Sequence, residues 1–195
     1  MKTAAEVTNV LICGTGGQGI LLASEVLSGA ARASGMDIKK SEVHGMAQRG
    51  GSVTSHVRFG SRVFSPLIEE GTADVVLGME QMEGLRWLHY MRVDGTLLIP
   101  DIRINPVTVN IGAARYPDVE AGLASRNAPY RVIPALAIAR ELGNTRVVNL
   151  VMLGAASTLM PMIGEQSWMT AIERRVPAKA LGVNMEAFER GKACL

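Results

Sequence analysis

Three glycines spaced as G-x-G-x-x-G, Gly14, Gly16 and Gly19, lie within Val10-Leu11-Ile12-Cys13-Gly14-Thr15-Gly16-Gly17-Gln18-Gly19. Glycine in such a turn permits positive φ and lets a backbone approach another group closely. The turn leaves N–H groups and the positive end of a helix dipole facing outward, which suits an anion. A second polar, glycine-rich stretch follows at His44-Gly45-Met46-Ala47-Gln48-Arg49-Gly50-Gly51. The Arg49 guanidinium can hold a carboxylate or a phosphate through two parallel hydrogen bonds. The candidate site therefore comprises Gly14, Gly16, Gly17, Gln18 and Gly19 from one loop, with His44, Gln48, Arg49, Gly50 and Gly51 from the other. The alternative is a pair of tight turns whose polar side chains cap each other and hold no ligand.

Other chemistry finds little support. His44, His56 and His89 are scattered, and neither H-E-x-x-H nor C-x-x-C occurs, so no metal is expected. No G-x-S-x-G nucleophile elbow is present. His56 reads as a polar residue on the solvated face of its strand, and His89 as a surface or structural residue. An acidic residue for a ribose is expected roughly 20 residues beyond the glycine motif. Glu42 is the one candidate, and it follows Lys39-Lys40 and opens the second loop, which argues against a nicotinamide dinucleotide. Cys13 and Cys194 stand at opposite ends of the chain, Cys13 as an inward strand residue and Cys194 in a frayed tail. A cubane iron–sulfur cluster takes four cysteine thiolates, so this chain is not expected to hold one alone.

The elements that must position these loops alternate between strand and helix. Val7–Cys13 is short and mostly apolar, as a central parallel strand should be. Ala23, Val26, Leu27 and Ala30 recur at helical spacing and Gly35 stops that helix. Asp37–Val43 reads as a charged edge strand. Ser52–Phe59 reads as an alternating one, with Val53, Val57 and Phe59 inward and Thr54, His56 and Arg58 outward. Gly60-Ser61-Arg62 predicts a hairpin into Val63-Phe64-Ser65. Ala73–Met79 and Thr96–Pro100 read as buried strands flanking a helix with Met82, Leu85, Leu88 and Met91 on one stripe, ended by Asp94-Gly95. Ile102–Ile111 is β-rich but broken by Pro106, predicting a looped or edge strand. Tyr130–Pro134 is a further strand, and Ala135–Leu142 a helix stopped by Gly143. The last quarter is helical: Val148–Met160 is almost wholly apolar, so that helix is expected to be buried in the protein or against a partner, Trp168, Ile172 and Val176 share a face, and Pro177 opens a closing helix. The expected fold is α/β: a single Rossmann-like open sheet, mostly parallel with an antiparallel hairpin, helices on both faces and a helical C-terminus.

The chain has 195 residues, 48% of them hydrophobic, and a net charge of +2. That is enough for one unit spanning 1–195 with its own core. Near-neutrality argues against a nucleic-acid binder, which would carry a basic stripe. No apolar run reaches the ~18 residues of a membrane span and no signal-peptide pattern is present, so the expected compartment is the cytoplasm, with no membrane partner.

The pair G-T-G-G-Q-G-I-L and S-E-V-H-G-M-A-Q-R-G-G-S-V, the latter at Ser41–Val53, resembles the gamma-type subunit of the 2-oxoacid:ferredoxin oxidoreductases. The pattern E-V-H-G-M-x-Q-R-G-G at Glu42–Gly51 is most similar to the indolepyruvate branch. The resemblance continues through A-D-V-V-L-G-M-E from Ala73, N-L-V-M-L-G from Asn149, R-R-V-P from Arg174 and A-F-E-R-G from Ala187. It implies a reaction in which a 2-oxoacid such as indolepyruvate or another aryl pyruvate loses CO2 on thiamine diphosphate. Electrons pass through iron–sulfur clusters to ferredoxin, and coenzyme A accepts the acyl group. No G-D-G segment with a following asparagine pair is present to hold magnesium and thiamine diphosphate. The resemblance therefore implies that thiamine diphosphate, magnesium and the clusters reside in a larger partner subunit, through which ferredoxin is reached. On that resemblance, this chain is expected to bind none of them alone and to help complete the cleft or position coenzyme A. A free-standing nucleotide-binding protein and a purely structural scaffold subunit are the competing functions.

Overall fold

A computed structural model describes residues 6–44 and 51–195, with His44 described by its backbone alone. Its frame is a six-stranded sheet of β1 (Thr8–Thr15), β2 (Asp37–His44), β3 (Ser52–Gly60), β4 (Ala73–Gly78), β5 (Met91–Pro100) and β6 (Tyr130–Ile133). The helices are α1 (Ile20–Ala33), α2 (Gln81–Arg86), α3 (Val107–Asn110), α4 (Val119–Ala124), α5 (Ala135–Glu141), α6 (Val148–Ser157), α7 (Glu165–Arg175) and α8 (Ala178–Lys192). The strand order is β2-β3-β1-β4-β5-β6. β1, β4, β5 and β6 pair in parallel, and β3 alone runs against both of its neighbours.

β1 is the central strand because it is apolar on both faces, and Thr8 through Gly14 are all buried. Val10 and Ile12 join one core with residues of α1, α5, α6, α7 and α8, while Leu11 and Cys13 join a second core with Leu88, Val119 and Leu123. Both sheet faces are covered, as parallel strands require. Every residue of α6 is buried. A Cβ on Gly154 would come within 2.0 Å of the Phe188 carbonyl oxygen, so glycine lets the backbones of α6 and α8 touch.

The mostly parallel sheet with one antiparallel hairpin is present, but the hairpin differs from the one predicted. β2 and β3 form it around residues 45–51, whereas Val63–Ser65 is not a strand. The Val63 N–H instead donates to Asp37 Oδ2 at 2.8 Å. Lying between β1 and β2, β3 is buried on both faces, so Thr54 and His56 are not solvated as expected. The stripe Met82, Leu85, Leu88, Met91 belongs to more than one element. α2 ends at Arg86, Leu88–Tyr90 forms a 3₁₀ turn, and β5 already begins at Met91 and passes straight through Asp94-Gly95. Met91 is drawn into the sheet by pairing with Ala73. Residues 102–106 are irregular and the short α3 follows, with Pro106 as its cap residue, so no edge strand forms there. Cys194 is half-buried against the larger core rather than frayed, and its thiol donates to the Arg190 carbonyl. Among the described residues no helix is long and apolar enough to cross a membrane.

Candidate functional site

β1 delivers the chain into the glycine turn at the carboxyl rim of the sheet, and α1 leaves from it. Gly17 and Gly19 take positive φ, 101° and 76°, and Gly19 is the N-cap residue of α1. No side chain caps α1 and no acidic residue occupies its first turn. Its leading N–H groups and dipole are therefore open to an anion. Gly14 answers a different need: a Cβ there would stand 2.6 Å from Gln18 Oε1 and 2.9 Å from Met79 Cβ.

Gln18 faces inward. Its Oε1 accepts from the Thr15 N–H at 2.7 Å and its Nε2 donates to the Met79 carbonyl at 2.8 Å, tying the turn to the end of β4. Gln18 thus braces the turn instead of standing free in the rim. Asn149, which the sequence reading did not single out, does the same from the other side. Buried at the start of α6, it donates Nδ2 to the Gly19 carbonyl at 3.1 Å. A Cβ on Gly19 would meet that nitrogen at 2.4 Å.

The two glycine loops lie together. The Gly16 N–H donates to the Gly51 carbonyl at 3.0 Å, and Thr15 of β1 pairs with Ser52 of β3. His44 ends β2 opposite Val53, which places its backbone on the same rim. Gln48, Arg49 and Gly50 lie outside the described residues. A cavity of about 340 Å³ opens against the turn, lined by Thr15, Gly16, Gly17, Gly19, Ile20, Leu21 and Val53. Its described wall carries no charged side chain, so any attraction for an anion there comes from N–H groups, the Thr15 hydroxyl and the helix dipole.

Two buried glutamates, also missed by the motif search, support this rim. Glu83 is 2% exposed, and its Oε2 accepts from Ser52 Oγ at 2.5 Å, while Trp87 Nε1 donates to the same hydroxyl at 3.3 Å. The exit of the second loop is thereby pinned to α2. Glu80 is fully buried, caps α2 by accepting from the Glu83 N–H at 2.9 Å, and accepts from the Ile104 N–H at 3.1 Å and from the Tyr116 hydroxyl. Burial, then the Glu80 carboxyl, push the Tyr116 pKa up, so the phenol stays a donor. Burial, followed by the fields of Glu83 and Glu80, also raises the Cys13 thiol well above its usual range. That keeps Cys13 protonated and unsuited to nucleophilic chemistry.

Glu42 is committed elsewhere: it accepts from Lys40 Nζ at 2.9 Å and from Ser24 Oγ at 3.3 Å. His56 Nδ1 accepts from the Ile68 N–H at 3.2 Å, and burial lowers its pKa. His89 is half-exposed, with Nδ1 3.0 Å from the Arg86 carbonyl.

Known proteins resemble this chain over nearly its whole length. Indolepyruvate oxidoreductase subunit IorB of Thermococcus kodakarensis is 38% identical over 191 residues, covering 94% of this chain and 93% of its own length. The Pyrococcus horikoshii subunit of the same name is 39% identical over 189 residues, with the same coverage. Among solved structures, the pyruvate oxidoreductase subunit PORC of Thermotoga maritima superposes with a TM-score of 0.72 at 22% identity, covering 96% of each chain. The 2-oxoglutarate:ferredoxin oxidoreductase of Magnetococcus marinus, solved with 2-oxoglutarate, coenzyme A and succinyl-CoA bound, gives 0.74 at 21% identity. That match covers 97% of this chain and 31% of the longer one. The family model for pyruvate ferredoxin/flavodoxin oxidoreductase matches residues 9–194. The chain belongs to that family, as a small subunit of an oxidoreductase of this class.

Proposed function

We propose that this chain, acting as one unit over 1–195 in the cytoplasm, is the non-cluster subunit of an indolepyruvate-type 2-oxoacid:ferredoxin oxidoreductase. Its carboxyl rim completes an active-site cleft built by a larger partner subunit. The overall reaction converts a 2-oxoacid, coenzyme A and oxidised ferredoxin to acyl-CoA, CO2 and reduced ferredoxin. Thiamine diphosphate with magnesium supplies the decarboxylation, and iron–sulfur clusters carry the electrons, both in the partner.

The contribution of this chain is orientation and electrostatics. Gly16 to Gly19 present the uncapped start of α1, and His44 to Gly51 form the facing lip. Arg49 holds a substrate carboxylate or a coenzyme A phosphate with its planar fork. Gln48 orients that group, while Gln18, Asn149 and Glu83 hold the two loops in place. The observation that supports this reading is the 3.0 Å bond from Gly16 N–H to the Gly51 carbonyl, which clamps one loop to the other.

Replacing Arg49 with Ala in the assembled complex is expected to lower coupled 2-oxoacid oxidation at least about tenfold, because misplacing a reacting group costs rate steeply. Unchanged turnover in an intact complex removes Arg49 from the cleft.

A further inference from the structure

A second cavity, of about 490 Å³, lies away from the glycine rim, between α1, α7 and the edge strand β2. α1 and α7 cross it antiparallel. Arg175 Nη2 meets Glu25 Oε2 at 2.7 Å, a Cβ on Gly29 would touch Ala171 Cβ at 3.3 Å, and Ser34 Oγ bonds Ser167 Oγ at 2.9 Å. This register sets Arg32 and Arg174 at the two ends of the groove, about 9 Å apart along the axis at 1.5 Å per residue. Arg32 lies twelve residues beyond Ile20, and so about 18 Å from the start of α1.

Four cations line the groove: Arg32, Lys40, Arg174 and Arg175. Glu25 bridges Lys40 and Arg175, and Glu42 takes a second contact with Lys40. Even with both carboxylates set against them, two positive charges are left over. Arg32 and Arg174 form no hydrogen bond or ion pair with the described residues. The charge of Arg32 still reaches the groove, since Lys40 first, then Arg175 and Arg32, hold the Glu25 carboxyl below its usual range. Along the axis between the two arginine positions lies Ser28, a lining residue whose Oγ is buried without a hydrogen-bond partner. An orphaned buried hydroxyl is costly unless something supplies its partner.

We propose that this groove is a second ligand site, separate from the glycine rim, for a small phosphorylated molecule carrying two anionic groups. The volume is that of a small-molecule pocket rather than a macromolecular face. Two unpaired guanidinium forks at opposite ends suit two phosphate groups, and Ser28 Oγ donates to an oxygen between them. The inference does not depend on the function proposed above.

Titration calorimetry of the full chain with inorganic pyrophosphate at low ionic strength tests it. Saturable binding is expected, weakened at least about tenfold in the Arg32→Ala/Arg174→Ala double variant and less in Ser28→Ala. Both arginines are exposed, so the double variant should melt at the temperature of the parent chain. No measurable binding by the parent chain overturns the proposal. So does binding that survives the double variant, which would belong to the glycine turn or another surface.

Discussion

The two rims of the sheet carry comparable cavities made from opposite materials. At the amino rim, about 460 Å³ opens beside Thr8, Asp74, Arg92 and Asp94. Its cation is already spent: Arg92 Nη1 holds Asp74 Oδ1 at 2.7 Å, its Nε holds Asp94 Oδ1 at 2.5 Å, and Asp74 also accepts from the Asn9 N–H at 2.8 Å. At the carboxyl rim the cavity is smaller, and its described wall offers an uncapped helix start rather than paired side chains. The larger cavity is electrostatically closed and the smaller one open. Size alone favours the amino rim, whereas asking which polar groups are still unclaimed selects the carboxyl rim proposed as the site, the end where parallel sheets collect ligands.

Four substitutions sharpen that contrast. Gly19→Ala should have the largest effect, because an L side chain in the left-handed region costs about 1–2 kcal/mol. Displacing Asn149 removes a further hydrogen bond of about 1 kcal/mol. The sum lowers the Tm by roughly 4–12 °C in thermal denaturation of a chain this size. Glu83→Leu strands the Ser52 hydroxyl and unpins the second loop. It should destabilise by about 2 kcal/mol and raise the KM for coenzyme A in the assembled complex more than it lowers kcat. Arg92→Ala breaks a part-exposed ion-pair cluster and should cost only about 1 kcal/mol. Its turnover in the complex should match the parent; a turnover loss like that of Arg49→Ala would erase the distinction between the rims.

The smallest effect concerns His56, which lies between the rims. Burial holds its folded pKa below the ordinary value near 6.5, and its neutral Nδ1 accepts the Ile68 N–H. The unfolded chain therefore takes up a proton that the folded chain resists. The stabilising contribution is complete above about pH 6.5 and is lost as pH falls toward and through the depressed folded value. His56→Asn, which keeps an acceptor without a titrating ring, should flatten this acid limb in melts run between about pH 7.5 and 5.

The sequence made the central features legible where pattern and position agree. The apolar run Val10–Cys13 leading into a glycine turn marked a central strand, and the almost wholly apolar α6 marked an interior helix. The failures share one cause: local pattern does not reveal what lies on the far side of an element. Thr54 and His56 alternate like a solvated face, yet β3 is sandwiched between β1 and β2 and its outer face is covered by Ile68 and Tyr90. Met82 to Met91 keeps helical spacing, yet pairing with Ala73 pulls Met91 into the sheet. Gln18 looked like a group waiting for a ligand because its chemistry suits one. Its partners, Thr15 and Met79, are backbone groups that no motif encodes. Asn149 and Glu83 reach the site from 130 and 31 residues away from the groups they bind, beyond any spacing rule.

Hydrogen exchange of the chain alone and within the assembled oxidoreductase, with coenzyme A added, probes the central claim most directly. The account predicts that amides of residues 14–22 slow sharply on assembly and again with coenzyme A, while those of residues 91–96 at the amino rim do not change. Protection confined to residues 91–96, with the glycine turn exchanging as freely as in the isolated chain, would contradict it.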